Sequence, residues 1–113
     1  MNITIHTDKH IQGGASLAEH MEADLASALD RFAHRLTRVE VHLSNESAGR
    51  TTGQDFRCLI EARPAGMDAV VVTHHGASHP EAFRAATDSL EAALTSKYER
   101  LEGHESRDTI RHQ

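Results

Sequence analysis

The chain has 113 residues, 38% of them hydrophobic, with no Trp, one Tyr and three Phe, which fits one domain with a modest aliphatic core. No apolar run approaches the roughly 18 residues that span a bilayer, and the start, MNITIHTDKH, lacks the basic-then-apolar layout of a secretory signal. A net charge of −5 argues against indiscriminate nucleic-acid binding, which comes from summed phosphate neutralisation.

The single cysteine, Cys58, has no partner for an internal disulfide, as expected of a reducing compartment. The expectation is a cytoplasmic protein without a membrane association. Charge is unevenly spread. Residues 8–30 hold one base, Lys9, against Asp8, Glu19, Glu22, Asp24 and Asp30. Residues 31–63 hold Arg31, Arg35, Arg38, Arg50, Arg57 and Arg63 against Glu40, Glu46, Asp55 and Glu61. A local arginine surface is therefore compatible with an acidic whole. Ten histidines would add positive charge as pH falls toward about 6.

Ile3 and Ile5 alternate with Asn2, Thr4 and His6, the period of a half-buried strand. KHIQGGAS reads as a loop, and Ser16 with Glu19 has capping-box spacing for a following helix. Leu17, Met21, Leu25, Leu29 and Phe32 form one apolar stripe, predicting a helix to about His34. Val39, Val41 and Leu43 alternate with Arg38, Glu40 and His42, a second strand. SNESAGRTTGQD is a polar hairpin connection, FRCLIEAR a third strand, and Pro64 with Gly66 a turn into the fourth, MDAVVVTH. Ser78 and Glu81 repeat the capping spacing, with Pro80 tolerated in the first turn. Phe83, Ala86, Leu90, Leu94 and Leu101 give the second helical stripe, with Tyr98 beside it.

These elements predict one α+β domain over residues 1–102, of order βαβββα, with a four-stranded sheet and both helices on one face. The other face would carry Thr4, His6, Arg38, His42, Arg57 and Arg63. Residues 103–113, GHESRDTIRHQ, read as a polar, flexible tail.

Candidate chemistry is sparse. His74 and His75 are adjacent, so on a strand they point to opposite faces and only one can join His79. No CxxC or HExxH spacing is present, and no metal site or cofactor is expected. Cys58 sits in the apolar register of its strand and reads as a buried structural thiol. With no phosphate loop and no serine-nucleophile motif, no enzymatic activity is expected. FAHRLTRVEVHL gathers Arg31, His34, Arg35 and Arg38 at the exit of the first helix. Cations there offset a helix dipole, and they equally suit bidentate contact with phosphates.

The segments MNITIHTDKHI, DRFAHRLTRVEVHLS, RCLIEARPAG and AVVVTHHGASHPEAFRAATDSLEAAL resemble, in order and spacing, the ribosome hibernation promoting factor family. That family is also known as ribosome-associated inhibitor A or sigma-54 modulation (S30EA) proteins, and the likeness covers nearly all of residues 1–102. It implies a fold related to the double-stranded-RNA-binding domain. It also implies a non-enzymatic translation inhibitor that occupies the small ribosomal subunit in stress and contacts rRNA phosphates. Longer relatives carry a further C-terminal domain, so the chain is expected to be a short form. Carried onto this sequence, the expected RNA-binding residues are Arg31, Arg35 and Arg38 at the junction and Arg84, Lys97 and Arg100 on the last helix. The family's last helix is usually richer in Lys and Arg; here Ser89, Glu91 and Thr95 occupy its middle. The alternative is a protein-interaction module of the same fold, pairing through the polar sheet face or a free strand edge without RNA.

Overall fold

In the computed structural model, which describes residues 1–9, 11, 13–46 and 55–111, with side chains as far as residue 102, the apolar alternation becomes one continuous wall. The elements are β1 (Asn2–Thr7), α1 (Gly14–Ala28), a 3-10 turn (Asp30–Phe32), β2 (Leu36–Asn45), β3 (Phe56–Pro64), β4 (Val70–Gly76) and α2 (His79–Arg111). The strands form one sheet in the order β1-β2-β3-β4. β1 runs parallel to β2, with Ile3 beside Val39 and Ile5 beside Val41; the β2–β3 and β3–β4 pairs are antiparallel. A parallel pair needs a crossover, and α1 supplies it. The βαβββα order is therefore observed as read from the sequence.

Val39, Val41, Leu43, Cys58, Ile60 and Ala62 are buried on the inner face, against Met21, Leu25 and Leu29 of α1 and Ala86, Leu90 and Leu94 of α2. Burial drives the Cys58 thiol from its ordinary 9.0 to about 12, because a thiolate would lose its hydration there. The unfolded chain then ionises first. The stabilisation is complete below pH 9 and is lost between pH 9 and 12, at about 1.4 kcal/mol per pH unit. Denaturant titrations at rising alkaline pH should show this slope in the native sequence and a shallower one in Cys58→Ala. Native protein should also resist a thiol reagent until it is unfolded.

The two Ser-x-x-Glu motifs have different fates. Ser16 caps nothing: α1 begins earlier, behind Gly13 in the left-handed region (φ 94°), with no side-chain cap bond. Glycine enters that region without a Cβ penalty, and the exposed first turn leaves its N–H groups to solvent. At α2 the expectation holds. The Glu81 N–H donates to Ser78 Oγ at 3.3 Å, while the Glu81 carboxylate accepts from the Ala77 N–H at 2.7 Å. That carboxylate reaches one residue further back than in the usual reciprocal box. The turn is tight enough that a Cβ on Gly76 would lie 2.7 Å from the Ala82 backbone nitrogen. Gly76→Ala should therefore cost about 1–3 kcal/mol, read as a lower denaturation midpoint.

Two further boundaries differ from expectation. α1 ends at Ala28, not near His34, and the chain tightens into 3-10 geometry, with Phe32 N–H bonded to Leu29 O at 2.9 Å and Ala33 N–H to Asp30 O at 3.1 Å. The tighter winding keeps Leu29 and Phe32 both buried while the backbone turns into β2. Leu101 lies outside the core at 45% exposure and Tyr98, at 6%, takes the place assigned to it. Among the described residues none beyond Tyr98 is buried, so the helix has run past the core by then. The connection expected over 44–55 falls mostly on 47–54, outside the described residues. The helical backbone continues to Arg111, but the side chains of the expected tail, 103–113, also lie outside them.

Candidate functional site

The three histidines at the β4–α2 junction diverge. His74 Nε2 meets Ser89 Oγ at 2.5 Å, His75 Nδ1 meets Asp55 Oδ1 at 2.9 Å, and His79 sits edge-on to Phe56 at 6.0 Å between centroids. Strand alternation sends the first to α2 and the second to the open face. Among the described residues no three metal-ligating side chains converge anywhere.

The open face carries the expected polar residues, but the register arranges them in bands. Arg38 lies opposite Arg63, Glu40 opposite Glu61, and His6 opposite His42. The two histidine rings stack at 4.5 Å. Arg38 leans along its own strand to Glu40 at 3.8 Å, and Arg63 likewise to Glu61 at 3.4 Å. The Arg38–Arg63 band is thus offset by the Glu40–Glu61 band, and Arg57 stands apart from both, opposite Ser44 and His75.

The exit from α1 is different. Phe32 and Tyr98 stack with centroids 5.8 Å apart, joining the 3-10 turn to α2. A guanidinium lies over each ring: Arg31 over Phe32 at 4.6 Å and Arg35 over Tyr98 at 4.4 Å. Arg31 also donates to Thr95 Oγ1. Arg35 reaches Glu102 at 3.5 Å, and its carbonyl accepts the Ala65 N–H at 2.8 Å, which ties the junction to the β3–β4 turn. Cation–π seating narrows the rotamers of two long side chains. The Arg35–Glu102 pair is about half exposed on both sides, and such surface bridges hold by only about 0–1 kcal/mol, so an incoming phosphate competes with it on favourable terms. Beside Arg35, a shallow hollow of about 340 Å³ is lined by His34, Ala65, Met67, Tyr98 and Leu101.

Of the six residues expected to bind RNA, only Arg31 and Arg35 come together. Arg38 projects from the open face, beside Glu40. On the stripe of Thr95, Tyr98 and Glu102 the nearest member to Lys97 is about 100° away around α2 and the nearest to Arg100 about 140°, at 3.6 residues per turn. Arg84 lies about 16 Å up the helix from Thr95 at 1.5 Å per residue, among Asp24, Asp88 and Glu91. The dipole rationale for the junction arginines also lapses, because α1 has no basic residue in its last turn. The partners missed in the sequence are Phe32 as a seat, Thr95 and Glu102; Tyr98 was noted only for its place beside the stripe.

A mixed four-stranded sheet with two helices on one face, in the order βαβββα, defines the chain as an α+β domain. The model of the sigma 54 modulation protein / S30EA ribosomal protein family matches residues 3–102, and the chain belongs to that family. The N-terminal domain of Protein Y from Thermus thermophilus is similar at 26% identity and a TM-score of 0.65, over 83% of this chain and 96% of that domain. A ribosomal subunit interface protein from Coxiella burnetii superposes with a TM-score of 0.66 over 88% of this chain and 99% of its own. At 12% identity, that second likeness speaks for the fold alone. No protein with a curated description matches the sequence significantly.

Proposed function

We propose that this chain is a non-enzymatic, cytoplasmic translation inhibitor that associates with the small ribosomal subunit under stress. Its main contact with rRNA phosphates is the Arg31–Arg35 pair. The observation that carries this reading is membership, over residues 3–102, of a family described by its ribosomal proteins. The ring-seated guanidiniums give it a physical means. Two pre-oriented forks offer bidentate donors to phosphate oxygens, and pre-orientation lowers the entropy lost on contact. Inhibition then needs no reaction, only occupancy of space the translating ribosome requires. Lys97 and Arg100, on the other flank of α2, add peripheral contacts; Arg38 and Arg84 serve elsewhere.

The reading is tested by sedimenting untagged protein with dissociated subunits and assaying translation in a cell-free system. Co-migration with the small subunit and a dose-dependent fall in translation are expected. Protein that stays at the top of the gradient and leaves translation untouched would refute it.

A further inference from the structure

The surface between α1 and α2 is acidic and hollow. Between α1 and α2 runs a groove of about 370 Å³ whose apolar lining includes Leu17, Met21, Ala28 and Phe83. Asp24, Asp88 and Glu91 also line it, against one permanent cation, Arg84. Among the described residues none of these three carboxylates has an ion-pair partner. Thr87 lines the same groove at 8% exposure, and its Oγ1 has no hydrogen-bond partner, a standing cost for a buried hydroxyl. His20 and His79 complete the titratable lining.

The geometry points to this groove as a docking track for an extended segment of a partner protein that carries both apolar and Lys or Arg side chains. Charge decides the class of occupant. A rim with three free carboxylates repels phosphates and attracts cationic side chains, while the apolar lining takes their aliphatic neighbours. Shape decides for a polypeptide over a small amine. A second depression of about 450 Å³ shares Pro80, Arg84 and Asp88 with the first, so the track continues across the outer side of α2. Acidic residues such as Glu19, Glu22 and Asp24 on α1, which holds no Lys or Arg, extend the negative field. The groove borders the Arg31–Thr95 contact at its Ala28 and Glu91 end but is lined by neither Arg31 nor Arg35, and it stands whether or not that pair meets RNA.

The test is fluorescence anisotropy at low salt with a labelled peptide alternating Lys and Leu, beside Lys/Gly and Glu/Leu peptides of equal length. The Lys/Leu peptide should bind more tightly than either control. Combining Asp24→Asn, Asp88→Asn and Glu91→Gln should weaken it by about tenfold or more. Ala28→Trp, which fills the groove, should weaken it similarly, with circular dichroism confirming that both variants fold. The double substitution Arg31→Glu and Arg35→Glu adds negative charge beside the groove and should not weaken peptide binding, which separates this surface from the phosphate contact. Equal binding of the Lys/Gly peptide, or an unaffected triple variant, would reduce the effect to bulk charge and overturn the proposal. Spermine binding as tightly as the peptide would make the groove a small-polyamine site instead. Concentration-dependent self-association abolished by the triple variant would give it to a second copy.

Discussion

Arg31→Glu combined with Arg35→Glu is expected to remove the protein from the small-subunit fraction of a sedimentation gradient, whereas Arg38→Glu alone leaves it there. The contrast follows from placement. Arg31 and Arg35 lie over the stacked Phe32 and Tyr98 rings, while Arg38 points from the open side of the sheet and leans on Glu40. A hydrogen bond to a charged group contributes about 1.5–3 kcal/mol, so losing two such contacts weakens binding by roughly a hundredfold or more. Added repulsion from two carboxylates deepens the loss. Any residual binding should show a salt slope lower by about two. Both side chains are exposed, so the fold should persist with a stability loss of only about 1–2 kcal/mol from the two cation–π contacts. A double variant that sediments like the native protein, or an equal loss from Arg38→Glu, would show that the contact lies elsewhere.

Tyr98→Ala should carry the largest stability penalty among the site's neighbours, about 3 kcal/mol or more, because it empties a position only 6% exposed. It should also weaken small-subunit binding, since Arg35 loses the ring beneath it. Tyr98→Phe separates ring from hydroxyl. The phenolic oxygen is buried without a partner, and burial raises its pKa while the nearby Arg35 cation draws it down. Deleting an unpartnered buried oxygen is neutral or mildly stabilising, so Tyr98→Phe should match the native protein in both denaturation midpoint and binding. A marked loss in Tyr98→Phe would mean that the hydroxyl makes a contact the ring stack does not explain.

Strands were legible in the sequence where a two-residue period met a one-sided core. Val39, Val41 and Leu43, then Phe56, Cys58, Ile60 and Ala62, indicate an inner face without reference to any neighbour. The end of α1 was not legible, because Leu29 and Phe32 are three apart, a spacing shared by α and 3-10 windings. The Ser-x-x-Glu motif misled once and held once. Side-chain spacing is identical in the two copies, but only the backbone decides where the helix begins, and Gly13 begins α1 ahead of Ser16. The charge bands on the open face were hidden for a further reason: setting Arg38 opposite Arg63 requires the strand register, which no single strand encodes. The same holds for the site. Arg31 and Arg35 could be singled out from one junction, yet their seats come from Phe32 beside them and Tyr98 on another helix far along the chain.

Two ring-seated guanidiniums are proposed to bind ribosomal phosphates on a molecule whose net charge is −5. Measuring the affinity of the native protein for purified small subunits across a series of salt concentrations tests it most directly. Affinity should fall linearly on a log–log scale, with a slope of at least about two set by displaced counterions, two of it from Arg31 and Arg35 and the rest from peripheral contacts. Tight binding that ignores salt, or no binding at the lowest salt, would contradict it.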